Sequence, residues 1–312
     1  MRVAVVDVGT NSTRLLVADV DAAAGRVTEV ERRSTVTRLG EGVDASGRLG
    51  DGGMGRVRAV LGEYRALIDG AGAPPAVAVL TSAVRDAANG PAFVAQVRGH
   101  GLDARVLSGD VEARLTYLGA VNGRSGPRTV PTLVVDIGGG STELVVGQGD
   151  ALRFHASTQA GVVRQAERHL RSDPPTTAEL RALTDDVRAV FAAAVPEAAT
   201  AVPQAAIGVA GTPTTLAALD LGLQVYDRDR VEGHVLERTT CERLLARLAA
   251  MTQAQIAALP GLQPARAPAI VAGTVLLIEA LRTFGLARVE VSEHDLLHGT
   301  ALAVARGEWD AA

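Results

Sequence analysis

The chain has 312 residues, 47% of them hydrophobic and 21% charged, with a formal net charge of −4. This is the profile of a globular protein of about two domains, and not of a disordered or fibrous chain. There is no lysine and only one cysteine, Cys241, which excludes a Walker A loop, Schiff-base or pyridoxal chemistry, an intrachain disulfide and a cysteine-based zinc site.

The missing lysine reads as the codon bias of a GC-rich genome, and it leaves any anion contact to arginine. A net negative chain does not draw in polyanions through its overall field, so an anionic ligand depends on donors placed locally. Met1-Arg2-Val3-Ala4-Val5-Val6-Asp7 reaches a charge too early for a signal peptide. No apolar run is read as approaching the length of a membrane span. A cytoplasmic location is expected, with neither a membrane nor a nucleic-acid polymer as partner.

In chain order, residues 2–8, 13–20 and 26–33 read as strands, short and rich in valine and leucine, with Gly9-Thr10-Asn11-Ser12 as the first turn. Met54, Val57, Val60, Leu61, Tyr64, Leu67 and Ile68 make a helical apolar stripe over 53–69. A strand at 76–80, a helix near 91–98, a strand at 104–107 and a helix at 109–121 follow. Asn122-Gly123-Arg124-Ser125-Gly126-Pro127 is dense in turn formers and marks a boundary. Strands then restart at 132–137, 142–147 and 151–157, with helices near 161–170 and 177–195. A strand at 205–210, helices at 212–222, 239–250, 266–284 and 295–306, and a strand at 288–292 complete the chain. Three strands followed by alternating helices and strands, twice over, predict an α/β layered fold. The domains are expected at 1–126 and 127–312, with the last helix free to pack back on the first domain.

The restart is also legible residue by residue. Asp7-Val-Gly-Thr-Asn-Ser-Thr-Arg-Leu-Leu-Val17 aligns with Asp136-Ile-Gly-Gly-Gly-Ser-Thr-Glu-Leu-Val-Val146, identical at six of eleven positions, as expected of a duplicated domain. Each copy places an aspartate at the end of an apolar strand, then small residues, then Ser-Thr. Small residues let backbone approach a ligand, and successive amides in such a turn form an anion-binding nest. Ser12, Thr13, Ser141 and Thr142 add hydroxyl donors. Asp7 and Asp136 repel phosphate, so their expected role is to hold Mg²⁺ or its waters against phosphate oxygens. The copies differ after Ser-Thr: the first has Arg14, a candidate phosphate donor, and the second Glu143, a carboxylate able to approach the same metal as Asp136 across the hairpin.

Two further segments suit a phosphate site. Arg85, in Thr81-Ser-Ala-Val-Arg-Asp86, lies at a strand's carboxyl end, where open α/β sheets bind ligands. Gly211-Thr-Pro-Thr-Thr215 opens a helix after a strand, with Thr212 placed to cap it and Pro213 in its first turn. Glu112 lies near the start of another helix, where its charge suits the dipole.

Together these segments resemble the exopolyphosphatase and guanosine pentaphosphate phosphohydrolase (Ppx/GppA) family in its short, two-domain form. The matching residues are Asp7-Val-Gly-Thr-Asn-Ser12, Arg38-Leu-Gly-Glu-Gly42, Thr81-Ser-Ala-Val-Arg85, Ser108-Gly-Asp-Val-Glu-Ala-Arg-Leu115, Asp136-Ile-Gly-Gly-Gly-Ser-Thr-Glu143, Gly211-Thr212 and Val291-Ser292. The resemblance implies two duplicated actin-like (ribonuclease H-like) domains with an active site in the cleft between them. It implies Mg²⁺-dependent removal of terminal phosphate from inorganic polyphosphate, or of the 5′-terminal phosphate of guanosine pentaphosphate. By the same resemblance Glu112 is the general base and Asp136 and Glu143 are the metal-associated carboxylates, to which the hairpin reading adds Asp7. Asn11, Ser12, Arg85, Gly138, Gly139, Gly140, Ser141 and Arg266 are the phosphate contacts it implies, to which the reading of the turns adds Thr10, Gly211 and Thr212.

The family's paired glutamates are Val111-Glu112 here, and its Leu-Arg-Glu-Gly near the C-terminus is Leu296-Leu-His-Gly299. His294 and His298, four apart, are read as surface or interdomain histidines ahead of a metal pair. A non-catalytic sensor of guanosine tetra- or pentaphosphate would keep Arg85 and the hairpins without needing Glu112. A sugar or acetate kinase would need an acceptor site, for which no motif is found. A homodimer through the C-terminal helices is a further expectation.

Overall fold

The computed structural model describes residues 1–72, 75–122 and 129–309, so the turn-rich boundary segment lies outside the described residues from position 123 to 128. The chain divides into two compact units, Met1–Ser125 with His294–Ala312, and Gly126–Glu293. Residues from His294 onward belong to the first unit, the arrangement in which the last helix packs back on the first domain.

In that unit β1 (Arg2–Val8), β2 (Ser12–Asp21), β3 (Arg26–Val36), β4 (Ala76–Leu80) and β5 (Asp103–Val106) form one sheet in the order β3-β2-β1-β4-β5. The first three strands are antiparallel neighbours, and β4 and β5 run parallel to β1. β1 is buried from Val3 to Val8, which is why it reads as an unbroken apolar run and not an alternating one. Its even-numbered residues Ala4, Val6 and Val8 join Met54, Val57, Leu61 and Phe93 on one face. Val3 and Val5 join Leu115, Leu296, Leu297 and Leu302 on the other. The helices Gly109–Asn122 and Leu296–Ala305 that cover this second face cross in backbone contact. A Cβ on Gly119 would collide with the Asp295 carbonyl, and one on Gly299 with the Leu115 carbonyl.

The second unit repeats the plan. β6 (Thr132–Ile137), β7 (Thr142–Gln148), β8 (Ala151–Thr158), β9 (Ala205–Val209), β10 (Val235–Glu237) and β11 (Arg288–Val291) are ordered β8-β7-β6-β9-β11-β10. The first five positions match the first sheet strand for strand in direction as well as order. The fold is thus α/β, with one sheet plan repeated in both units. β10 is an addition that the sequence pattern did not reveal: three residues paired antiparallel to β11.

The segment Pro264–Thr283 overturns the expectation that no apolar run approaches a membrane span, since it is long and apolar enough to cross one. Most of it is buried inside the second unit, where Ile270, Val271, Val275, Leu276 and Leu281 belong to the core. A helix enclosed by protein on all sides loses its polar face, and the composition then matches that of a membrane helix.

Candidate active site

Both hairpins close in the same way. Gly9 N–H donates to Ser12 O at 3.0 Å, and Gly138 N–H donates to Ser141 O at 3.0 Å. The position at the end of the central strand is then set directly opposite the first charged residue of the next strand: Asp7 faces Arg14, and Asp136 faces Glu143. The single change from Arg14 to Glu143 therefore reverses the charge facing the aspartate.

In the first unit Arg14 Nε and Nη2 reach Asp7 Oδ2 at 2.8 and 2.7 Å, and Arg14 Nη1 donates to Asp295 Oδ2. Burial pushes the Asp7 carboxyl upward, and Arg14 opposes that rise. Asp7 Oδ1 is buried and makes no hydrogen bond. Asp7 therefore differs from the expected metal ligand in having a guanidinium already against one oxygen. Thr10, expected among the phosphate donors, is turned inward: its hydroxyl is 2.9 Å from Ser82 Oγ and accepts from Ala83 N–H. That side chain ties the hairpin to the one-turn helix Ser82–Asp86, which the sequence pattern had not separated from its neighbours. Asn11 and Ser12 remain partly exposed at the turn.

The helix Ser82–Asp86 carries Arg85, whose Nη1 donates to Glu112 Oε2 and to Leu107 O, both at 2.9 Å. Glu112 sits in the first turn of Gly109–Asn122, only 5% exposed. Burial pushes its carboxyl from an ordinary 4.5 up to about 7, while Arg85 pulls the other way. A carboxylate in that range accepts a proton at neutral pH and releases it again. The motif segments before and after β5 thus meet in one ion pair.

In the second unit Asp136 and Glu143 are 6% and 1% exposed, and Ser157 Oγ donates to Glu143 Oε1 at 2.9 Å. Gly138 O accepts from Val162 N–H, Gly139 O from Val163 N–H, and Gly140 O from Arg164 Nε. With those carbonyls held at the start of Val162–His169, the amides are what the glycine turn offers an anion. The packing leaves no room for a side chain at Gly161, whose Cβ would overlap the backbone of Gly139 and Gly140. Ser141 is buried at the turn, and Thr142 Oγ1 donates to Ala160 O.

Gly211 starts the helix Gly211–Asp220, and Thr212 lies inside its first turn. The expected Thr212 cap is absent; Ala210 occupies that position at φ 69°, a conformation disfavoured for a residue with a Cβ. Thr214 Oγ1 and Thr215 Oγ1 donate to Ala210 O and Gly211 O at 3.0 and 2.6 Å. Arg266 Nη1 donates to Gly211 O at 2.6 Å, bringing the arginine to this turn. Arg38, in the Arg38-Leu-Gly-Glu-Gly42 segment, likewise has a positive φ, 48°. Sequence offers no sign of either strained position.

Among the described residues no group of three or more His, Cys, Asp or Glu side chains is arranged to hold a metal ion. The opposed pair Asp136 and Glu143 nonetheless suits Mg²⁺, which takes one or two carboxylates and completes its shell with water and phosphate oxygens. His298 is not on the surface. It is 1% exposed, its Nδ1 accepts from Asp295 N–H at 3.3 Å, and its Nε2 is 3.0 Å from Glu29 Oε1. The residue that sequence reasoning missed is Asp295, which caps Leu296–Ala305 and grips Arg14 across 281 positions of chain. Its Asp-x-x-His pattern marks a helix start, but nothing in the sequence ties it to Arg14.

Residues 16–306 match the family described as the Ppx/GppA phosphatase family. The chain is 40% identical to Exopolyphosphatase 2 of Mycobacterium tuberculosis over 97% of its own length and 98% of that protein. Its structure resembles that of the Aquifex aeolicus Ppx/GppA family member, with a TM-score of 0.81 and 30% identity over 99% and 98% of the two chains. It also resembles an exopolyphosphatase from Cytophaga hutchinsonii, with a TM-score of 0.88 and 25% identity over 98% of each. On sequence and structure alike, the chain belongs to the Ppx/GppA phosphatase family.

Proposed function

We propose that this protein is an exopolyphosphatase that removes the terminal phosphate of inorganic polyphosphate. The observation that carries the reading is Glu112: a buried carboxylate raised to about 7 by its surroundings and fixed by Arg85 at 2.9 Å. Binding alone has no use for such a group, whereas hydrolysis needs a base near neutrality. Support for the substrate comes from the relatives named exopolyphosphatase.

In this reading Glu112 takes a proton from water as the water oxygen attacks the terminal phosphorus. The bond to the bridging oxygen breaks, and inorganic phosphate leaves with a chain one unit shorter. Arg85 holds Glu112 and faces the negative charge of the substrate. In the second hairpin the amides of Gly139 and Gly140, with Ser141, are the donors offered to phosphate oxygens, and in the first Asn11 and Ser12. Arg266 fixes the Gly211-Thr212 turn. Asp136 and Glu143 would hold Mg²⁺, which when bound offsets phosphate charge. Positioning and electrostatics supply most of the rate in such a transfer.

Phosphate release from polyphosphates of defined length and from guanosine pentaphosphate, with and without Mg²⁺, tests this directly. Polyphosphate should be cleaved in the presence of Mg²⁺, and Glu112→Gln should lower the rate by about two orders of magnitude or more. Preference for guanosine pentaphosphate would reassign the substrate. Near-normal turnover in Glu112→Gln would remove the base from the mechanism. Binding of guanosine phosphates without release from any substrate would make the protein a sensor.

A further inference from the structure

Arg14 was a natural candidate to contact phosphate, yet its guanidinium is held on two sides by carboxylates. Asp7 takes Nε and Nη2, and Asp295 takes Nη1. The three side chains together carry one net negative charge, and Arg14 is only 15% exposed. Asp295 is itself fixed from several directions. Its Oδ1 accepts from Leu297 N–H at 3.0 Å as the helix cap, and its own N–H donates to His298 Nδ1. A ring that accepts at Nδ1 carries its proton on Nε2, which donates to Glu29. Glu29 in turn pairs with Arg32 at 3.2 Å. His298 lies in the segment Leu296-Leu-His-Gly299, where this chain departs from the family's Leu-Arg-Glu-Gly, and Asp295 immediately precedes it.

We propose that Asp295 is a specificity-determining residue that withholds the Arg14 guanidinium from the anionic substrate. The proposal rests on the reading that the first hairpin meets phosphate. Asp295 lowers the positive potential at that hairpin and so weakens its grip on highly charged chains. Removing the Asp295 charge loosens the hold on Nη1 and lets it donate to a phosphate oxygen.

Asp295→Asn and Asp295→Ser both keep a good N-cap while removing the charge. Binding of inorganic tripolyphosphate in the presence of a chelator, read by calorimetry, reports the hairpin's affinity without turnover. Each variant should bind about three- to tenfold tighter than wild type, with a steeper salt dependence. Adding Arg14→Gln should abolish the gain. Unchanged or weaker binding in variants that melt like wild type would overturn the proposal, as would a gain that survives Arg14→Gln. If neither variant folds, Asp295 is a structural cap and the proposal falls. Wild-type binding without phosphate release from any substrate would instead sink the hydrolase reading and leave the comparison of variants valid. Absence of binding throughout would overturn the proposal, while the release assay with Mg²⁺ decides the hydrolase reading separately.

Discussion

Glu112 shows how the proposed catalytic role sets itself against stability. A carboxyl whose folded pKa is raised binds more protons folded than unfolded. Its contribution to stability is complete below the ordinary 4.5 and is lost as the pH rises through about 7. Glu112→Gln removes the ionisation and keeps the shape. The variant should therefore be more stable than wild type at pH 8, by up to about 3 kcal/mol, and nearly equal to it at pH 5. Thermal melts of the two proteins at both pH values measure this; a variant less stable than wild type at pH 8 would contradict the buried-base assignment. At this scale the sequence was informative about identity and poor about contacts. Glu112, Arg85, Asp136 and Glu143 stood out through motif position. That Arg85 touches Glu112, that Thr10 turns inward and that Arg14 meets Asp295 depend on residues far apart in the chain.

The elements were largely legible because the two periodicities, near 2 and near 3.6, survive in short apolar strands and amphipathic helices. What escaped was short: β10, with three residues, and the one-turn helix Ser82–Asp86. Neither carries a full period of contrast between apolar and polar positions. The helix crossing at Gly119 and Gly299 is likewise invisible in a sequence with 34 glycines, since only the fold says which glycine meets backbone. Gly119→Ala should force Gly109–Asn122, and Glu112 with it, away from Leu296–Ala305. Overpacking of this kind costs about 1–3 kcal/mol. A lowered Tm with a reduced rate is expected; a variant matching wild type in both would show that the helices separate without consequence.

At the scale of the whole molecule, each unit has its own core, but the first completes its core with the end of the chain. Leu296, Leu297, Ala301, Leu302 and Trp309 cover the sheet face formed by Val3, Val5, Leu16, Val77 and Val79. Deletion of residues 294–312 should expose that face, because each buried leucine lost is worth about 2–5 kcal/mol against a total stability of about 5–15 kcal/mol. Calorimetry of the shortened chain should keep a transition for the second unit, whose core runs from Leu133 to Val291, and lose that of the first, with binding of an apolar dye. Two intact transitions would refute this account. By itself the sequence determined the duplication, the order of strands and helices and the family, because all of these are written in local patterns and in motifs that recur in order. Only the tertiary structure decided that Arg14 is gripped by Asp7 across the strand pair and that the chain's end returns to hold it. Partnership across a strand pair or across 281 residues is a matter of distance in space, and burial, which raises Glu112, exists only once the chain has packed.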